Sequence, residues 1–194
     1  MKLKKVNAVL GLLSAPLLLG HVGCTVYEYL TLNHNPVLMR ATAMPFAMTV
    51  MLHAICGMLS VFLLADGTRL DLYPKQNAKT VFQRVTAALI FPLLILHLRA
   101  FDALENIAAK GLWVPFGLIL LLQVAFFFVV LGHTAVSLSR GLITLGWLSS
   151  REKQNKIDSV ARVVFALVFL IAAFAVVYGT IAAVPAAAAQ GGAV

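Results

Sequence analysis

The stretch Leu112–Leu138, LWVPFGLILLLQVAFFFVVLGHTAVSL, reads as a helix that crosses a lipid bilayer. It stays apolar for longer than the roughly 20 residues a helix needs to span about 30 Å of hydrocarbon. Working outward, comparable runs occupy Val6–Leu30, Ala43–Ala65, Val81–Ala100 and Val160–Val184. The chain of 194 residues is 61% hydrophobic and 11% charged, with a mean hydropathy of +0.95, well outside the range of soluble domains. These features predict an all-α integral membrane bundle of five transmembrane helices forming one domain over residues 1–194. No remaining segment is long or polar enough to fold separately in water, so flavin, nucleotide or iron–sulfur chemistry is left to partner chains.

The four connections carry the breakers and the charge. Thr31–Thr42 holds Asn33, Asn35 and Pro36, and Asp66–Thr80 holds Asp66, Gly67 and Pro74; Phe101–Gly111 and Ser139–Ser159 complete the set. Twelve of the 15 Lys and Arg residues fall at the N-terminus and in the second and fourth connections with their flanks: Lys2, Lys4, Lys5, Arg69, Lys75, Lys79, Arg84, Arg140, Arg151, Lys153, Lys156 and Arg162. Arg40, Arg99 and Lys110 fall on the other side. The positive-inside rule then puts the N-terminus in the cytoplasm and the C-terminus outside, which requires an odd number of spans. The net charge of +8 is thus a topology signal rather than a sign of nucleic-acid binding. Cys24 and Cys56 sit inside apolar runs and are expected to be free thiols. A cleaved lipoprotein signal is a competing reading of Leu19–Cys24, but a histidine three residues before the cysteine matches such a site poorly. The tail Pro185–Val194 is expected to fray.

Each of the first four spans contains one histidine: His21, His53, His97 and His133. Ionisable groups cost energy inside a membrane, about 2.5–3.5 kcal/mol for Asp, Lys or Arg at a helix centre, so such residues invite a functional explanation. No Asp or Glu lies deep in a span to pair with a charged imidazole or to build a proton relay. Neutral histidines ligating metal through a ring nitrogen need no such partner. With helix directions set by the charge rule, His21 and His97 fall toward the outer face, His133 near the cytoplasmic face and His53 near the middle, so depth pairs His21 with His97 and His53 with His133. Two such pairs suit the axial ligands of two stacked b-type haems. Small residues near the histidines, Gly20, Gly23, Ala54, Gly57, Gly132 and Gly141, offer space for a flat cofactor between helices.

These four histidines, and the run His133-Thr-Ala-Val-Ser-Leu-Ser-Arg-Gly-Leu-Ile-Thr-Leu-Gly-Trp-Leu-Ser-Ser-Arg151 leading through a charged connection into a last helix, resemble one family. It is the single-subunit, five-helix, di-haem cytochrome b membrane anchor of bacterial succinate dehydrogenases and fumarate reductases. The resemblance implies an inner haem iron held by His53 and His133, and an outer one held by His21 and His97. It also implies flavoprotein and iron–sulfur subunits docked on the cytoplasmic face of a bacterial inner membrane, exchanging electrons with a quinone such as menaquinone. The connections Asp66–Arg84 and Ser139–Arg162 are then the natural docking surface. Ser137 and Arg140 are candidates to bind an inner haem propionate, and Arg99 an outer one. Surface groups such as Tyr27 and Glu28 are candidates for proton exchange outside. Two other classes fit the same sequence: the cytochrome b anchor of another quinone-linked dehydrogenase or hydrogenase, and a haem-free transporter or assembly protein.

Overall fold

A chain whose solvent is lipid must satisfy every backbone N–H and C=O internally, and long helices do this one residue at a time. The computed structural model describes residues 2–64 and 74–191, with side chains at 2–60, 78–100 and 103–183. These residues form five helices and no strand: α1 Lys2–Thr31, α2 Pro36–Leu64, α3 Pro74–Ala109, α4 Trp113–Leu145 and α5 Arg151–Gly191. All five are long and apolar enough to cross a membrane. Their outward surfaces carry fully apolar side chains, such as Val114, Leu98 and Phe174, each more than half exposed. Water would not tolerate that coat, whereas lipid does.

The helices overrun the apolar stretches that mark them. Residues 36–42, expected in a connection, form the first turns of α2, where Asn35 Oδ1 accepts the N–H groups of Val37 and Leu38 at 3.1 and 3.0 Å and Pro36 opens the helix. Residues 101–109 continue α3, and of Ser139–Ser159 only 146–150 is non-helical. Gly146, at φ 82°, ends α4 by returning its N–H to Ile143 O, and Ser150 Oγ caps Lys153 N at 3.2 Å to start α5. Hydropathy detects the hydrocarbon core, while these caps lie in the polar interface, so the sequence runs underestimate helix length. Pro185 to Gly191, expected to fray, extend α5; residues 65–73, with Asp66, Gly67 and Arg69, and residues 192–194 lie outside the described residues.

Packing is uneven. A tight core of Leu18, Leu131, Ala135, Ala161 and Phe165 locks α1, α4 and α5 together. A second cluster, Ala100, Leu104, Ala108 and Phe116, joins α3 to α4 near their connection. α2 packs substantially on α1 alone, and α3 on α4 and α5. Among the described residues, α1 with α3 and α2 with α4 make no more than a passing approach. The four histidine-bearing helices therefore stand as two hairpins, α1–α2 and α3–α4, joined along α1 and α4.

Among the described glycines the tightest surroundings are at Gly179, where an added Cβ would lie 2.6 Å from the Tyr29 carbonyl oxygen and 2.5 Å from its Cδ1. A methyl group there forces α5 away from α1. Gly179→Ala is expected to cost about 1–3 kcal/mol in detergent unfolding. Gly117→Ala, whose Cβ meets nothing within 4 Å, should leave the midpoint unchanged.

Candidate functional site: two layers of histidine

α1 and α2 run antiparallel, with a register that sets His53 opposite Asn7 and Gly11, and His21 opposite Thr42 and Phe46. α3 and α4 repeat the arrangement, with His133 opposite Gln83 and Thr86, and His97 opposite Gln123 and Phe126. Two layers result. His53 and His133 share the layer nearer the start of α1, and the two lie within electrostatic range of each other. His21 and His97 share the second layer and interact in the same way. From Gly11 to His21 and from Gln123 to His133 is ten residues, so the layers are roughly 15 Å apart along the helices. All four rings are partly buried.

The pairs join the helices that do not pack on one another, α1 with α3 and α2 with α4. Each pair is therefore carried by helices that stand diagonally in the bundle.

Every ring is oriented through Nδ1. His53 Nδ1–H donates to the Asn7 carbonyl at 3.0 Å. His133 Nδ1–H is shared between the Gln83 carbonyl at 3.1 Å and Thr86 Oγ1 at 2.9 Å; the Thr86 hydroxyl itself donates to Phe82 O. His97 Nδ1 meets Gln123 Oε1 at 2.7 Å, and His21 Nδ1 makes a long contact of 3.5 Å with Thr42 Oγ1. A carbonyl can only accept, so His53 and His133 carry their proton on Nδ1 and present a lone pair at Nε2. The Nε2 atoms of His21, His53 and His133 make no hydrogen bond to a described residue. Ligating histidines are typically held in this way, with the far ring nitrogen tied to a carbonyl or another acceptor.

In both α1 and α3 the accepting carbonyl lies fourteen residues before that helix's own histidine. At about 100° per residue this returns to nearly the same helix face, so one face serves both layers. The residue four beyond each carbonyl is small, Gly11 or Ala87, which leaves the oxygen accessible beside its helical bond. Gly11 is the tighter case: a Cβ there would sit 2.9 Å from His53 Cε1.

The other predicted residues have specific placements. Ser137 and Arg140 are brought together by Gln83, whose Nε2 donates to Ser137 Oγ at 2.8 Å and whose Oε1 accepts from Arg140 at 3.1 Å. Arg99 is exposed, away from this cluster. Tyr27 is exposed but Glu28, expected at the surface, is buried, because its carboxylate receives His34 Nδ1 at 2.7 Å and Asn35 N–H at 3.1 Å and so ties down the α1–α2 connection. The glycines chosen from sequence divide. Gly20 and Gly23 face open space beside His21, Gly57 and Gly132 make ordinary contacts with Asn7 and Phe82, and Gly141 packs on Leu12 at 3.1 Å. Of the predicted docking connections, Lys79 is committed to a 2.7 Å ion pair with buried Asp158, Arg151, Lys153, Lys156 and Arg162 are exposed, and the side chains of Arg69 and Lys75 lie outside the described residues. Cys24 and Cys56 are free.

No known protein family, curated protein or solved structure matches this chain. Among the described residues, no three His, Cys, Asp or Glu side chains converge as a protein-only metal site would need.

If Gly11 exists to admit His53, the two positions must be coupled. Gly11→Ala is expected to destabilise the folded protein by about 1–3 kcal/mol, and in the Gly11→Ala/His53→Ala double variant most of that increment should vanish. Strict additivity in thermal or denaturant unfolding would show that the close approach carries no energy.

Proposed function

We propose that this chain is the di-haem cytochrome b membrane anchor of a succinate:quinone oxidoreductase, a succinate dehydrogenase or fumarate reductase. In this reading it sits in a bacterial inner membrane with its N-terminus cytoplasmic. The observation that carries the proposal is the pairing of four histidines in two layers across diagonal helices, their rings fixed through Nδ1. The residues also fit the cofactor on a second count. Each layer holds a buried polar atom with no partner among the described residues, Asn7 Oδ1 in one and Gln123 Nε2 in the other. Such an atom costs about 1–3 kcal/mol unless a further group satisfies it.

Haem supplies one-electron chemistry between ferric and ferrous iron. The chain's own residues would do the rest. His53 and His133 would hold the inner iron and His21 and His97 the outer iron, with the Nδ1 acceptors stiffening each imidazole and raising its basicity. Ser137 and Arg140, gathered by Gln83, would bind the inner haem's carboxylates. Apolar helix faces would keep water from both layers and hold the assembly in the bilayer. The exposed Arg151, Lys153 and Lys156 would meet an iron–sulfur subunit, itself joined to a flavoprotein that carries out the dicarboxylate chemistry. Electrons would pass between that subunit and membrane quinone, menaquinone by the resemblance.

The reduced-minus-oxidised absorbance spectrum of the purified chain should show a b-type α-band, with haem content near two per chain. His53→Ala or His133→Ala should halve the haem content and spare the remaining signal. A chain without haem would contradict the proposal and leave the transporter or assembly class. Haem without co-purifying flavin and succinate- or fumarate-linked quinone turnover would point to the anchor of a different dehydrogenase or a hydrogenase.

A further inference from the structure

Gln123 is the least exposed large side chain in the bundle, at 1%, and it lies within the transmembrane part of α4. An amide is costly there, and this one is only half satisfied: Oε1 meets His97 Nδ1 at 2.7 Å while Nε2 has no hydrogen-bond partner among the described residues. A leucine of similar volume would remove the penalty, so packing alone does not account for a glutamine. Its one hydrogen bond among the described residues is to a histidine.

The two layers also differ in how their rings are held. In the His53/His133 layer the acceptors include main-chain carbonyls, from Asn7 and Gln83, which no substitution removes. In the His21/His97 layer both are side chains, Thr42 at a long 3.5 Å and Gln123 at a short 2.7 Å. The His97 ring is further clamped by Phe126, stacked with centroids 4.7 Å apart, and by the edge of Phe127 at 6.1 Å. By accepting the Nδ1–H hydrogen bond, Gln123 Oε1 attracts the proton and leaves more electron density on the ring, which makes the imidazole a stronger donor at Nε2, and a stronger donor favours ferric over ferrous iron.

We propose that Gln123 is a positioning residue that fixes the His97 tautomer and lowers the reduction potential of the outer haem, independently of the inner one. The inference rests on the reading of His97 as an iron ligand. It makes the outer potential adjustable by a single side chain, whereas main-chain acceptors anchor the inner one.

The test is an optical redox titration of the purified holoprotein, wild type and variants, with electron paramagnetic resonance to assign each midpoint to its haem. Gln123→Leu should raise the outer midpoint and leave the inner one in place. Gln123→Glu, which keeps an acceptor oxygen, should not raise it. Loss of the outer haem from the leucine variant alone, with retention in the glutamate variant, would likewise support the role. Unchanged midpoints in Gln123→Leu, an equal shift of both haems, a rise in both variants, or loss of the outer haem from both would overturn it. A wild-type chain that binds no haem would instead refute the underlying cytochrome reading, so the two failures are distinguishable.

Discussion

The arrangement depends on hydrogen bonds from imidazole Nδ1–H to acceptors on the neighbouring helix of each hairpin. In hydrocarbon no water competes for these groups, so an imidazole without an acceptor is expensive and one with an acceptor is rigid. At His53 and His133 the acceptors are backbone oxygens already engaged in helices, reached because Gly11 and Ala87 leave the second lone pair open. One small residue thus fixes ring orientation, tautomer and hairpin register together. The ten-residue spacings from Gly11 to His21 and from Gln123 to His133 then set the separation of the layers.

The rest of the packing can be understood as support for that geometry. α5 contributes no histidine, yet it closes on α1 at Gly179 and shares the Leu18–Phe165 core with α1 and α4. It also salt-bridges to α3 through Asp158 and Lys79. These contacts brace the hairpins on the outside, where interior packing between diagonal helices is slight.

The five spans and the four histidines were legible in the sequence because hydropathy and the rarity of ionisable groups in lipid are local properties. Helix ends were not, because capping by Asn35, Gly146 and Ser150 takes place in the polar interface beyond the apolar signal. Gly11, Gln83 and Gln123 were also missed. Nothing in the sequence around them differs from ordinary packing, and their roles exist only once the register between two helices is known. Glycines adjacent to a histidine in sequence proved to be a weak guide, since the one that admits the His53 ring lies on another helix.

The proposed function requires paired imidazoles to clasp iron from both sides. Electron paramagnetic resonance of the oxidised, purified chain tests this most directly, because two-imidazole ligation gives low-spin ferric signals. Two low-spin haem signals of equal integrated intensity, one abolished by His53→Ala and the other by His97→Ala, are predicted. A high-spin signal, a single haem, or signals indifferent to both substitutions would contradict it.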